Sequence, residues 1–227
     1  FLLPILRGIP VVQMSPFDWV RAPYRLLQAI STYRGTLTWL PNFAYNFCAQ
    51  KIRDRDMVGV DLSSWRASIN TSEPVKHKSH QMFQERFKVY GLRLETLQTS
   101  YGMAENVFAV TQNDLSKPPY VEDVDQESFT TDLIARPAFN GRPAIQMMSC
   151  GRPIPNTYIR VVDSKGRDLP ERHIGEIVVI SNCMLTGYYK RPDITTKTFL
   201  EDGWYMSGDY GYIFNGEVFI AGRKKDL

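Results

Sequence analysis

Thr36-Leu37-Thr38-Trp39-Leu40-Pro41-Asn42-Phe43-Ala44-Tyr45-Asn46-Phe47-Cys48-Ala49-Gln50-Lys51-Ile52, TLTWLPNFAYNFCAQKI, changes period at its proline. Before Pro41 the run is β-like; after it Tyr45, Cys48, Ala49 and Ile52 recur at i, i+3, i+4 and i+7, which predicts a helix. Phe43 and Phe47 fall on the other side, so this helix is expected to be buried on two faces. Upstream, IPVVQM (9–14) reads as a strand, and APYRLLQAISTYR (22–34) has helical spacing with Pro23 near its first turn and Gly35 just past its end. Downstream, RASIN (66–70) reads as a strand, VKHKSHQMFQERFKVYG (75–91) as a helix closed by Gly91, and LRLETLQ (92–98) as a further strand. Alternation of this kind predicts an α/β unit over residues 1–112, a parallel sheet flanked by helices.

The rhythm changes beyond Gln112. Residues 113–145 hold acidic, proline-bearing sequence of little periodicity and read as a linker or insertion. From 146 to 222 β signals dominate: TYIRVVD and GEIVVIS flank a turn-rich stretch, and DYGYIF and EVFIAG flank Asn215-Gly216, a strong two-residue hairpin signal. A small antiparallel β-barrel or sandwich subdomain is expected there, with 223–227 as the start of a hinge.

Composition is that of an ordinary globular chain: among 227 residues, 43% are hydrophobic and 22% charged, which argues against disorder. The net charge of +3 is spread along the chain, and GRKK at its end is too short for a nucleic-acid footprint. Cys48, Cys150 and Cys183 are odd in number and far apart, which fits a reducing, cytoplasmic setting better than a disulfide framework. His77 and His80 lie on a lysine-rich stretch and read as solvated surface rather than as metal ligands, and His173 stands alone. Asn70 opens a formal glycosylation triplet, NTS, with nothing else to indicate secretion. The opening FLLPILRGIPVV is broken by Pro4, Arg7 and Gly8, which makes it too interrupted for a membrane span, and it lacks the flanks of a signal peptide. Without an initiating methionine, the chain reads as a piece of a longer polypeptide.

In an open parallel sheet, ligands collect at the carboxyl ends of the strands. INTSEPV (69–75) and TSYGMAE (99–105) each follow a predicted strand and would share that edge. Alone, TSEP also fits a helix N-cap, with Thr71 or Ser72 capping and Glu73 and Pro74 in the first turn. TSYGMAE fits either a plain turn or a ring, a close-approach glycine and a carboxylate able to hold Mg²⁺. Asp209, after Ser207-Gly208, could accept the two hydroxyls of a ribose, with Arg223 to Lys225 as a basic cluster nearby.

Taken in order, NTSEP, TSYGMAE, GEI…GYY, DGWYMSGD and AGRKKD resemble the adenylate-forming superfamily of acyl-CoA synthetases, peptide-synthetase adenylation domains and luciferases, over nearly the whole chain. LPNFAYNFCA, TSYGMAE and SCGRPIP resemble its fatty acyl-AMP ligase branch, and Ala104 stands where most members of the superfamily carry threonine. The resemblance implies ATP and Mg²⁺ as cofactors and a fatty acid as substrate. It also implies a carrier-protein phosphopantetheine thiol as acceptor, with free CoA in a synthetase as the alternative and a non-catalytic nucleotide-binding module as a further one. It implies that Ser72, Glu73 and Pro74 face one side of adenine and that Ser100 and Tyr101 border it. Gly102 and Met103 would stand where the nucleotide and acyl pockets meet, with Ala104 beside them. Glu105 would hold Mg²⁺ and serve catalysis, Asp209 and Arg223 would bind the ribose, and Lys225 would be the hinge. Trp39, Phe43, Tyr45 and Phe47 would lie along an acyl tunnel or be simple core. A phosphate loop would lie before Phe1 and a C-terminal domain with a catalytic lysine after Leu227, so this stretch alone is expected to be nearly inactive.

Overall fold

The computed structural model describes residues 2–139 and 141–224. Helix α1 (Leu2–Arg7) ends at Gly8, and residues 9–15 that follow carry no strand. The strand expected at IPVVQM is therefore not formed: Gly8 turns the chain at φ +63°, Pro10 lacks a donor, and Ile9, Val11 and Val12 stay exposed, with no strand among the described residues to pair with. Helices α2 (Pro16–Arg21) and α3 (Tyr24–Thr32) come next, the second burying Leu27 and Ile30.

Strand β1 (Leu37–Leu40), helix α4 (Asn42–Lys51), strand β2 (Ala67–Asn70), helix α5 (His77–Phe87) and strand β3 (Leu97–Thr99) then form the expected parallel unit, in the order β1-β2-β3. Leu40 pairs with Asn70 and Asn70 with Thr99, so the three strands end level. That register brings the segments after Asn70 and Thr99 to one rim. LRLETLQ is only partly extended: Leu94–Thr96 is a 3-10 turn, in which the Thr96 hydroxyl donates to the Trp65 carbonyl at 2.9 Å. Helix α5 buries Ser79, His80, Phe83 and Phe87 along one stripe, and Phe83 meets Tyr45, Trp65 and Phe87 at 5.2, 6.1 and 4.7 Å between ring centroids. Each such ring removed from water contributes about 1.5–3 kcal/mol. On α4 the Tyr45–Cys48–Ile52 face is buried as expected, but the second face is not: Phe43 is half exposed and Phe47 partly buried, and both pack edge-on against Trp19 of α2.

After β3 the chain forms β4 (Thr111–Gln112), β5 (Val121–Asp125), β6 (Ala144–Met148), β7 (Arg152–Pro153), β8 (Thr157–Val162), β9 (Gly175–Ser181), α6 (Pro192–Lys197), β10 (Tyr205–Phe214) and β11 (Glu217–Arg223). The last strands make an antiparallel sheet in the order β11-β10-β9-β8, beside the two-stranded ribbons β4-β7 and β5-β6. Strand β5 thus lies inside the stretch that reads as linker. Its acidic Glu122 is buried because Arg172 donates to it at 2.9 Å and Tyr212 at 2.7 Å. The β10-β11 hairpin turns at Asn215-Gly216, both at positive φ (+52° and +73°), as a two-residue turn of the primed type requires. Ile177, Val179 and Val218 pack with Val110, Cys150 and Tyr101, so a residue of the parallel sheet's rim is anchored in the antiparallel part. No helix among the described residues is long and apolar enough to cross a membrane.

Candidate active site

The level strand ends open into a cleft of about 140 Å³. Ser72, Glu73 and Pro74 form one wall, Ser100, Tyr101 and Gly102 a second, and Asp209 and Arg223 the face contributed by the antiparallel sheet. With Cys150, five separate stretches of the chain meet there.

The loop after β2 is not a helix cap. Helix α5 begins at His77, and the backbone N–H of Lys76 donates to Asn42 Oδ1 at 3.0 Å instead of to Thr71 or Ser72. Ser72 lies at φ +74°, and the Glu73 carboxylate accepts from the Phe43 N–H at 2.5 Å, at the positive end of the α4 dipole. A polar chain holds this loop from beneath. Because a backbone N–H only donates, Asn42 Oδ1 is an acceptor; it also receives Asn70 Nδ2 at 3.0 Å, whose other proton meets His80 Nε2 at 3.0 Å. His80 is therefore buried and neutral rather than solvated, and burial, followed by the neighbouring His77, lowers its pKa to about 3. Asn70 is fully buried as well, which excludes the glycosylation triplet.

The TSYGMAE loop folds back on itself. Tyr101 O accepts from Val110 N at 2.8 Å and Thr111 N at 3.0 Å, and Met103 N donates to Phe108 O at 2.9 Å. A Cβ on Gly102 would lie 2.2 Å from Phe108 O, so only glycine permits the approach. The Ser100 hydroxyl donates to Thr111 O at 2.7 Å. Met103 packs against the core cluster around Tyr101, and Ala104 is exposed in the 3-10 turn Ala104–Asn106.

Asp209 sits in β10, at a bulge between Met206 and Tyr210 rather than in a free turn, and it faces Arg223 of β11 in register. Its Oδ1 takes Arg223 Nε at 2.9 Å and its Oδ2 the Tyr101 hydroxyl at 2.6 Å. Burial raises its pKa; the Tyr101 hydrogen bond and the Arg223 charge oppose that rise, while Glu105 and Glu176 add to it. Burial, then the Asp209 charge, holds the Tyr101 phenol well above its ordinary value. A buried carboxylate beside a guanidinium that is 59% exposed can accept paired hydroxyls while a cation faces solvent.

Glu105 Oε1 accepts the Tyr188 hydroxyl at 2.8 Å, and Tyr188 and Tyr205 share a hydrogen bond of 3.0 Å. Among the described residues no three His, Cys, Asp or Glu side chains come close enough to hold a metal ion by themselves. Glu105 is not among the residues that line the cleft; a single hard carboxylate of this kind fits a Mg²⁺ ion that brings phosphate oxygens and water as its remaining ligands.

Of the four residues expected along an acyl tunnel, Phe43 and Phe47 share Trp19 as a neighbour, while Trp39 and Tyr45 stand apart from them. Trp39 and Phe43 are about half exposed, with Trp39 edge-on to Phe108 at 6.0 Å, while Phe47 packs on Trp19. Tyr45 is fully buried in the helix–sheet core, its hydroxyl 2.9 Å from Ser68 Oγ. Lys225 lies outside the described residues; its neighbour Lys224 donates from Nζ to Glu176 at 2.7 Å and from its backbone to Gly208 O at 2.9 Å. Sequence reasoning missed Tyr188 as the partner of Glu105 and Tyr205 as the partner of Tyr188, and Cys150 and Ile220 as cleft lining. GYY carried the only signal for the first of these.

The AMP-binding enzyme family profile matches residues 1–189. The medium-chain-fatty-acid acyl-carrier-protein ligase JamA of Moorena producens is 33% identical over 99% of this chain and 40% of its own length. FadD28 of Mycobacterium tuberculosis, a long-chain-fatty-acid AMP ligase, is 31% identical over 99% of this chain and 40% of its own length. The solved structure of the fatty acyl-adenylate ligase from L. pneumophila, in complex with acyl adenylate and pyrophosphate, superposes with a TM-score of 0.94 at 32% identity, covering all of this chain and 41% of that one. The chain thus spans about 40% of the length of the relatives it matches. Profile, relatives and fold agree: the chain belongs to the AMP-binding enzyme family.

Proposed function

We propose that the intact protein activates a fatty acid with ATP, giving acyl-AMP and pyrophosphate, and passes the acyl group to the phosphopantetheine thiol of a carrier protein. The observation that carries this is the junction at Asp209: Tyr101, 108 residues away in sequence, and Arg223 converge on its carboxylate at the mouth of a cleft that the loops after β2 and β3 complete. In this reading Asp209 accepts both ribose hydroxyls and Arg223 donates to the sugar from its open side. Ser72–Pro74 and Ser100–Tyr101 flank the base. Glu105 would hold Mg²⁺, which when bound supplies charge neutralisation and Lewis acidity at the phosphates.

A carboxylate attacking a polyanion needs alignment above all. With the nucleoside fixed at both ends, a carboxylate oxygen of the fatty acid attacks the α-phosphorus, a P–O bond forms and pyrophosphate leaves. The mixed anhydride then acylates a thiol and releases AMP. Trp39 and Phe43, exposed at the rim beside this loop, are the residues we assign to the acyl chain; Tyr45 and Phe47 act behind them, through packing.

The acceptor is argued from the relatives, which are named as acyl-carrier-protein and AMP ligases. A second reading, transfer to CoA, is favoured by fadD25 of M. tuberculosis, whose name assigns it to the fatty-acid CoA ligases and which is 32% identical. One assay separates the two: fatty-acid-dependent pyrophosphate release by the intact protein, with acyl-AMP and acyl-CoA resolved after CoA is added. Persistent acyl-AMP supports the carrier reading, acyl-CoA replaces it with the second, and no adenylate refutes both.

A further inference from the structure

Two phenols outside the cleft wall have committed hydroxyls that the proposed reaction does not use. The Tyr188 O–H donates to Glu105 Oε1 at 2.8 Å, and that is its only proton; the 3.0 Å contact with Tyr205 must then have Tyr205 donating to Tyr188. The result is a directed chain, from Tyr205 to Tyr188 to Glu105. Tyr189, next in sequence, is 86% exposed. The segment bearing Tyr188 is also pinned: Leu185 N donates to Glu105 O at 2.8 Å, and Tyr188 N donates to Thr195 Oγ1 at 2.9 Å in the first turns of α6. Packing alone would not call for a hydroxyl aimed at a carboxylate from a segment strapped to that carboxylate's own backbone.

We infer that Tyr188 is a positioning residue that fixes the Glu105 carboxylate for a divalent cation, with Tyr205 orienting Tyr188. The inference rests on reading Glu105 as the cation ligand. A free glutamate samples many rotamers, and immobilising it on binding opposes affinity. The phenol removes that freedom beforehand while using one of about four lone-pair directions on the carboxylate, which leaves the others for the ion. Groups that orient a metal ligand in this way typically change metal affinity by roughly 10–100-fold when removed.

The test measures the affinity of the intact protein for α,β-methylene-ATP with and without Mg²⁺, and for AMP in EDTA. In the wild type Mg²⁺ should tighten analogue binding, and Glu105→Gln should abolish the gain. Tyr188→Phe should reduce the gain roughly ten-fold while leaving AMP affinity in EDTA unchanged. Tyr205→Phe should reduce it less, and Tyr189→Phe not at all. If Glu105→Gln abolishes the gain and Tyr188→Phe retains it, the positioning role is wrong and the cation site stands. If Glu105→Gln retains it, the cation site is wrong and the positioning role with it. Should Tyr188→Phe lose AMP binding as well, Tyr205→Phe decides: a selective loss of the Mg²⁺ gain supports the chain, and an unchanged gain overturns it.

Discussion

Acid should loosen this fold through one residue, His80. Its Nε2 accepts from Asn70, whose orientation is set through Asn42 by the Lys76 backbone, so adding a proton there would oppose two donors in a buried site. With a folded pKa of about 3 against 6.5 in the unfolded chain, the unfolded state takes up a proton between these values and the folded state does not. Stability from this group is thus complete above pH 6.5 and is lost as pH falls toward 3. At pH 5 the loss is RT ln(1 + 10^1.5), about 2 kcal/mol. Urea unfolding of the intact protein at pH 7.5 and 5.0, for wild type and His80→Gln, isolates the term. Groups common to both cancel in the difference between the two pH changes, leaving about 2 kcal/mol more acid loss in the wild type. Equal pH dependence in the two proteins would show that His80 titrates alike in the folded and unfolded states and refute the hydrogen-bond argument.

Other consequences can be tested separately. Asp209→Ala should weaken AMP binding by roughly ten-fold or more, the worth of a hydrogen bond to a charged group, with circular dichroism unchanged; AMP titration calorimetry checks this. Because the Asp209 pKa is raised and its acceptor role needs the ionised form, AMP affinity should begin to fall, on acidification, above the ordinary aspartate range, and the same calorimetry run as a pH series would show a flat profile if Asp209 does not touch the nucleotide. Gly102→Ala places a Cβ 2.2 Å from Phe108 O, a backbone clash that should cost about 1–3 kcal/mol and lower the melting temperature by several degrees, measurable by scanning calorimetry. Phe43→Ala should shift the preferred fatty-acid chain length while leaving the KM for ATP within two-fold (an order-of-magnitude bound); an unchanged chain-length profile would remove Phe43 from the acyl wall.

The parallel unit was readable because each strand is followed by a break in period, Pro41 after Leu40 and the small polar residues after Asn70 and Thr99. The hairpin was readable from Asn215-Gly216 alone. What escaped depends on partners distant in sequence. IPVVQM has strand composition, but among the described residues no strand pairs with it. Lys76 and Lys78 make the start of α5 look solvated, whereas Ser79, His80, Phe83 and Phe87 form its buried stripe. Glu122 reads as loop until Arg172 and Tyr212 arrive from 50 and 90 residues away. The motifs single out Asp209 and Glu105 as candidates, but the side chains that hold them, Tyr101 and Tyr188, lie 108 and 83 residues distant, where no local pattern reaches.

The β10-β11 hairpin also acts as a ruler. Asp209 and Arg223 are the last pair of its ladder, and Phe214 and Glu217 the first, next to the turn. At about 3.3 Å per residue, the tip and Asp209 stand some 15–20 Å apart, yet the tip's length decides which residue of β11 faces Asp209. A single residue inserted between Asn215 and Gly216 would slide the return strand by one place and carry the guanidinium to the opposite face of the sheet. Surface turns ordinarily absorb such insertions without effect. Here a change at a solvent-exposed tip, touching nothing in the cleft, would dismantle the site by arithmetic alone.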